Sequence, residues 1–222
     1  MTSDPAEPMS PRTTVRRGAH RAEYSRDAIL SILRAGTMAH VGVNTDDGPL
    51  VLPMAYGLSD DTIYIHGALA NSLLKAGADR EICVTVTVLD GLVMAKCAFN
   101  YTMNYRCVVV RGTARVVDDE REHEHALRIV TDHIVPTWDI VRPVTASELR
   151  ATRVVALSLD ECSAKVRTGP PTNDESDAQE QYWCGEIPMT TRFGDPVSAP
   201  DAAGSVPPQV AALAGRDTHD RS

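Results

Sequence analysis

The sequence predicts a mainly β protein of the α+β class, an antiparallel β-barrel flanked by short helices. Most of the chain consists of short apolar or alternating runs of strand length, separated by turn residues. Helical periodicity is confined to a few short stretches. Strands and helices do not alternate regularly, and this pattern favours an antiparallel barrel over a parallel sheet built from βαβ units.

Composition narrows the functional classes. A chain of 222 residues with 43% hydrophobic content can bury one core, which indicates a single main domain. The formal charge of −8 argues against a nucleic-acid partner, because neutralising phosphates needs clustered Lys and Arg. The arginines of residues 12–21 are interpreted as part of a solvated arm.

The expected location is the cytoplasm, with no membrane partner. No apolar run reaches the ~20 residues that a membrane-spanning helix needs, and the N-terminus lacks an apolar signal segment. Five cysteines form an odd count without CxxC spacing, which is typical of a reduced protein.

The predicted elements follow one another closely along the chain. Ser25 is a good N-cap for the first helix and Gly36 ends it, while Asp46-Asp47-Gly48 predicts a hairpin turn. Thr145 and Glu148 form a capping box for the last short helix. In order, we expect a helix over 26–35, strands over 37–43, 49–56 and 62–66, a short helix from Asn71 to near Gly77, strands over 82–89, 92–98 and 105–117 with a turn at Asp90-Gly91, a helix over 119–134, and a strand over 153–159.

Three regions are expected. Residues 1–22 are rich in Pro, Arg, Ser and Thr and are predicted to be a mobile arm. Residues 23–169 form the barrel. Residues 170–222 are an acidic loop and a Pro/Ala-rich extension, which we expect to pack on the barrel or on a partner subunit.

The short helix after Asn71 carries a possible anion site. Ser72 and Lys75 are three residues apart, so they face the same side of a helix. Free backbone N–H groups of the first turn and the helix dipole favour a phosphate there. The alternative is an ordinary capped helix with a solvated lysine.

Alternation on two neighbouring strands suggests a wall for a flat heteroaromatic ring. If the strands pair, one surface carries four side chains: Met54, Tyr56, Tyr64 and His66. For His66 a core histidine is the alternative interpretation.

Further cations follow later in the chain. Arg106 is interpreted either as a second phosphate donor or as part of a structural ion pair, because an unpaired buried guanidinium is costly. Lys165 and Arg167 alternate on one face and form either an anion contact or a charged edge strand. No metal site is expected, since His123 and His125 point about 200° apart on a helix.

Several motifs occur in an order that resembles a known family. They are GTMAHVGV, GPLVLPMAYG, IYIHG followed by NSLLKA, ICVTVTVLDGLVMA, FNYTMNYRCVVVRGTA, SAKVRTGPP and YWCGEIPM. Together they resemble the pyridoxamine 5′-phosphate oxidase-like group of FMN-binding split barrels. Within it they are most similar to the flavin-nucleotide-binding branch, which is related to 5-nitroimidazole reductases.

The resemblance implies a homodimer of split barrels with FMN at the subunit interface. It implies backbone contacts to the flavin ring from Pro53, Met54, Ala55 and Tyr56, and a phosphate site in the segment with His66, Gly67, Asn71, Ser72 and Lys75. It also implies further contacts from Tyr105 and Arg106, and a covering role for Trp183; Lys165 and Arg167 complete the expected cofactor set. Relatives often carry an arginine beside the position of Ser72, which this chain lacks.

The function expected from these features is an FMN-dependent oxidoreductase that transfers hydride to or from a small organic substrate. His66 and Tyr105 are candidate proton donors. Two alternatives stay open: a non-catalytic flavin-binding or storage protein, and a split barrel that holds haem or a deazaflavin. For haem, His66 and His40 are the candidate axial ligands.

Overall fold

The structure is a computed structural model, and it describes residues 7–219. Two antiparallel sheets dominate it, which confirms the predicted fold class. The strands are β1 (Ala22–Glu23), β2 (Ala39–Thr45), β3 (Gly48–Met54), β4 (Tyr56–Ser59), β5 (Thr62–Ala68), β6 (Glu81–Met94), β7 (Thr102–Thr113), β8 (Arg115–Val116), β9 (Thr152–Ser158), β10 (Cys162–Arg167) and β11 (Gly185–Pro188).

Within residues 7–219, five α-helices flank the sheets. They are α1 (Arg26–Ala35), α2 (Ser72–Gly77), α3 (Glu120–Ile134), α4 (Ala146–Ala151) and α5 (Pro208–Ala211). The Asp119 side chain caps α3, and Thr145 with Glu148 forms the predicted capping box of α4. Within residues 7–219, every helix is too short or too polar to cross a lipid bilayer.

The larger sheet has the order β1-β10-β7-β6-β2-β3, and β11 adds to the far end of β6. The smaller sheet has the order β4-β5-β9-β8. One core lies between the sheets and includes the buried faces of α1 and α2. A second cluster lies between the smaller sheet and α3, and it contains Tyr64 and Val154.

The predicted turn at Asp90-Gly91 is wrong. The register between β6 and β7 shifts there by one residue, which is a β-bulge, and pairing then continues to Met94. Leu92 faces Met103 beyond the bulge, so the pairing of β6 with β7 continues past it. Apolar alternation also resumes on the same strand there. The predicted strand over 92–98 is therefore the end of β6.

A second difference concerns the predicted strand over 49–56. The structure divides it at Ala55, between β3 in the larger sheet and β4 in the smaller one. Similarly, the predicted strand over 105–117 divides at Ala114, between β7 and β8. Such transfers between sheets depend on tertiary pairing, which strand propensity does not report.

Residues 10–15 lie against the barrel. Ser10 Oγ donates to Glu161 Oε2 at 2.6 Å, and Val15 N donates to Tyr24 Oη at 2.8 Å. Thr13 is buried. Mobility of the arm stays a prediction, and its first six residues lie outside the described part of the chain.

Candidate functional site

Ser72 and Lys75 line an open cavity of about 590 Å³ between α2 and the β2–β3 hairpin. Both project from the same side of α2, as their spacing predicts. Arg80, in the turn before β6, also lines this cavity. A hydroxyl, an ammonium and a guanidinium therefore converge there, and this donor set is suited to a phosphate.

The hairpin side of the same cavity carries Asp46 and Asp47. The cations are thus partly balanced by carboxylates. Neither Lys75 nor Arg80 forms a salt bridge within residues 7–219, so both retain donors for a bound anion.

Asn71 and Gly67 anchor the helix that carries these cations. Asn71 Oδ1 accepts from Leu74 N at 3.1 Å, so one N–H of the first turn is already bonded. A Cβ on Gly67 would lie 2.9 Å from Leu74 Cδ1 and 3.2 Å from Asn71 Nδ2. Because α2 has only six residues, the side-chain cations carry the anion affinity of this cavity more than the helix end does.

The predicted ring contacts lie at the other end of β3. Its first residues, Gly48 to Leu50, line the cavity, whereas Pro53 and Met54 end the strand and Ala55 follows it. Five residues of extended strand span roughly 16 Å. A flavin bound at both positions would therefore run along β3.

The predicted four-residue wall is wrong. Tyr56 faces Ile65 in the β4–β5 ladder, so its ring shares the face of Ile65 and points into the main core. Tyr64 is the next residue along β5 and points to the opposite face, under α3. The break at Ala55 separates Met54 and Tyr56 into different strands, which alternation alone did not reveal.

Tyr64 and Tyr56 are both occupied by structural hydrogen bonds. Tyr56 Oη donates to Leu33 O at 2.5 Å and lies 3.1 Å from Gly36 O. Tyr64 Oη donates to Glu122 Oε1 at 3.0 Å. Burial, followed by the hydrogen bond to Glu122, raises the pKa of Tyr64 above its ordinary value.

His66 is half-buried on the α3 side of β5. Its Nδ1 is enclosed and has no hydrogen-bond partner within the described residues. Burial, and secondarily the nearby His123, lowers the pKa of His66 below its ordinary value of 6.5. The imidazole is therefore neutral at physiological pH, and neutral imidazole is the form that binds a metal.

His123 and His125 point in different directions, as the helix geometry predicts. His123 Nε2 lies 3.0 Å from Thr152 O, and His125 Nε2 lies 3.4 Å from Ser59 Oγ. Among residues 7–219, no group of three His, Cys, Asp or Glu side chains is arranged to hold a metal ion.

Arg106 forms the ion pair that the sequence left as one of two interpretations. Its Nε and Nη2 donate to the two carboxylate oxygens of Asp90 at 3.0 and 2.7 Å. The hydrogen bond to Asp90 is the main reason that the pKa of Arg106 is raised. Both residues line a cavity of about 320 Å³ beside the bulge, with Asn104 and Glu186. A role for Arg106 as a phosphate donor stays a prediction.

Tyr105, Lys165 and Arg167 share one face of the larger sheet. Tyr105 faces Arg167 and Cys107 faces Lys165 across the β7–β10 ladder. Lys165 Nζ donates to Arg17 O at 2.8 Å. Arg167 is buried and donates to Asn104 Oδ1 and to the carbonyls of Gly169 and Pro170.

Trp183 and His40 are the remaining candidates. Trp183 is exposed, and its ring packs on Gly185 at the start of β11. His40 is exposed on the outer face of β2. The predicted site residues therefore occupy several places on the described part of the chain, and Ser72 and Lys75 share a cavity there.

Sequence reasoning missed two residues. Arg80 joins the Ser72 cavity from a turn, and Asp90 pairs with Arg106 across the bulge. A charged residue just past a helix that carries Ser72 and Lys75 was the available signal for Arg80. Nothing in the sequence alone signalled the pairing of Asp90, because it depends on the register of β6 and β7.

Comparison with known proteins identifies relatives along nearly the whole chain. The flavocytochrome Anf3 from Azotobacter vinelandii is 37% identical, with a TM-score of 0.89 over 94% of this chain and 99% of that one. The FAD and heme binding protein from Mycobacterium smegmatis is 31% identical, with a TM-score of 0.84 over 89% and 98% of the two chains.

A more distant structure shares the fold. It is a Bacteroides thetaiotaomicron protein described as a candidate for 5-nitroimidazole antibiotic resistance, 23% identical, with a TM-score of 0.54 over 65% of this chain and 86% of that one. No curated protein matches the sequence. The sequence model described as pyridoxamine 5′-phosphate oxidase matches residues 25–166, which confirms the resemblance seen in the motifs. The chain therefore belongs to the pyridoxamine 5′-phosphate oxidase family.

Proposed function

We propose that this protein is a redox protein that binds a flavin and a haem. The observation that carries the proposal is its 37% identity, over almost its full length, to a flavocytochrome. A second relative, 31% identical, is described as binding FAD and heme. Bound flavin supplies hydride or electron transfer, and bound haem supplies one-electron and oxygen chemistry.

For the flavin, the cavity beside α2 fits a phosphate. Lys75 and Arg80 supply charge without competing salt bridges within residues 7–219, and Ser72 supplies a hydroxyl. We propose FAD in preference to the FMN expected from the sequence, because of the Mycobacterium smegmatis relative. FMN and FAD share the first phosphate, so the same donors serve either molecule.

For the haem, His66 would hold the iron better than His40 would. A metal-ligating histidine must be neutral, and burial keeps His66 neutral. Its enclosed Nδ1 has no partner in the described residues, which marks a ring that the fold has not otherwise used. His40, in contrast, is exposed to solvent on β2.

We also propose that two copies of the chain associate through the outer face of the larger sheet. Val51 on that face is 59% exposed, and Gly42 and Cys83 lie beside it in one row across β3, β2 and β6. An exposed valine beside two small residues is suited to close packing against a second copy, with Arg111 next in the row on β7. Val51→Glu should yield a monomer by light scattering, and an unchanged dimer would contradict this interface.

The cofactors can be identified directly. Denaturing the purified protein and analysing the released compounds by mass spectrometry should yield FAD and haem b. Release of FMN would correct the flavin assignment, and release of neither cofactor would overturn the proposal. His66→Ala should remove the Soret band while His40→Ala keeps it; the reverse would move the ligand to His40.

Turnover separates a redox enzyme from a flavin store. Stopped-flow mixing with NADH or NADPH, or with a chemical reductant followed by air, should reduce and then reoxidise the bound flavin. Both steps should be fast enough for enzymatic turnover. A bound flavin that stays oxidised with every physiological reductant would indicate storage.

A further inference from the structure

The N-terminal segment places a cationic surface on an otherwise acidic protein. Residues 11–21 contain four arginines and one histidine and no acidic residue, whereas the whole chain carries −8. We define the cationic edge as Arg16, Arg17, Arg21 and Lys165. It lies at the β1–β10 edge of the larger sheet.

This edge is held in place by contacts at both ends. Arg12 forms salt bridges with Glu81 at 2.7 Å and with Glu161 at 3.3 Å. Further along, Lys165 Nζ donates to Arg17 O at 2.8 Å. The acids in contact with the segment are thus engaged with Arg12, at the far end from the cationic edge.

The four cations of the edge outnumber the acid of β1, the exposed Glu23. Arg16 and Arg17 are exposed, and neither they nor Arg21 forms a salt bridge within residues 7–219. Lys165 bonds to a carbonyl rather than to a carboxylate. Burial, and then the neighbouring Arg21, lowers the pKa of Arg167, whereas Glu186 acts in the opposite direction. The net positive field of the four cations attracts an anionic partner and speeds its encounter.

We propose that the cationic edge is the docking surface for a small acidic electron-carrier protein. This inference rests on the proposed redox function. Each encounter transfers one electron from the carrier, which is oxidised, to the bound cofactor, which is reduced.

An acidic protein fits this surface better than a nucleic acid does. The rest of the molecule is strongly acidic, so it repels a long polyanion that extends beyond the edge. A compact acidic protein meets only the cationic surface, and the opposite signs orient it on approach. Electron-transfer complexes have small interfaces and low affinity. A docking surface of four side chains would give an interface of that kind.

The test uses the full-length holoprotein and an acidic [2Fe–2S] ferredoxin reduced beforehand. Stopped-flow absorbance follows cofactor reduction at low and at high salt. The variant R16E/R17E should slow reduction by about ten-fold at low salt, and high salt should slow the unchanged protein to a similar rate. The matched control R121E/R150E reverses two exposed arginines away from the edge and should reduce at the unchanged rate.

Separate measurements distinguish the possible failures. The cofactor spectrum and reduction by dithionite report the proposed function, and both should be the same in R16E/R17E as in the unchanged protein. If they are the same but ferredoxin reduces the variant equally fast, or fails to reduce either protein, the docking inference is wrong. Salt-sensitive binding of duplex DNA that R16E/R17E abolishes would also overturn it. A protein without cofactor would instead overturn the proposed function.

Discussion

Tyr56 and Tyr64 lie on paired strands but on opposite faces of the smaller sheet. Tyr56 faces Ile65 across the ladder, and Tyr64 precedes Ile65 on the same strand. One ring therefore enters the main core, and the other packs under α3. Neither ring is available as part of a shared wall, so the flavin-ring contact that we propose rests on the backbone at the end of β3.

The first prediction follows from the buried hydroxyl of Tyr56. Tyr56→Phe removes the donor to Leu33 O and Gly36 O and should lower the free energy of unfolding by about 1–2 kcal/mol. Chemical denaturation measures this change. Flavin affinity should stay the same, because the hydroxyl points into the core. Weaker flavin binding without loss of stability would restore Tyr56 to the site.

The second prediction concerns pH and His66. Its pKa is lowered in the folded protein, so the unfolded chain takes up a proton first as pH falls through 6.5. The associated stability is present above pH 6.5 and is lost as pH falls from 6.5 through the lowered pKa of the folded protein. NMR of the haem-free protein should give a His66 titration midpoint below 6.5. His66→Asn should flatten the acid side of the stability profile, and a midpoint at or above 6.5 would contradict the prediction.

The third prediction concerns Asp90 and Arg106. Asp90→Ala leaves a half-buried guanidinium without its partner and should destabilise the fold by about 1–3 kcal/mol. In a double-mutant cycle with Arg106→Ala, the second substitution should cost less in the Asp90→Ala background than alone. Additive effects would mean that the pair contributes nothing to stability.

The fourth prediction concerns phosphate binding. Lys75→Ala should weaken flavin binding by about 1–3 kcal/mol, the range for charged hydrogen bonds. Fluorescence titration of the apoprotein with FAD and with riboflavin measures it, with Arg150→Ala as the control. Riboflavin has no phosphate, so its affinity should not change. Equal loss for both ligands would place Lys75 elsewhere in the site.

The fifth prediction concerns the contact between β4 and α3. A Cβ at Gly57 would lie 2.6 Å from both Ile129 Cγ2 and Val130 N. Gly57→Ala should therefore push α3 from the smaller sheet and lower stability by about 1–3 kcal/mol. Gly194→Ala is the matched control, since no atom lies within 4 Å of its added Cβ. Equal melting temperatures for the two variants would show that α3 can shift away from the smaller sheet without loss of stability.

Several elements could be predicted from the sequence because local signals determine them. The capping box of Thr145 and Glu148, the cap at Asn71 and the hairpin after Thr45 are all encoded within a few residues. The shared side of Ser72 and Lys75 follows from helix geometry alone. Non-local pairing could not be predicted in this way. The transfer of the chain between sheets at Ala55, the bulge at Asp90 and the Arg106 ion pair all depend on which strands meet.

We propose above all that this chain holds a flavin and a haem together. The absorbance spectrum of the protein, purified without added cofactor, reports on both groups at once. It should show the two flavin bands together with a Soret band, and His66→Ala should lose the Soret band alone. A colourless protein that takes up neither FAD nor haem on reconstitution would rule out the proposal.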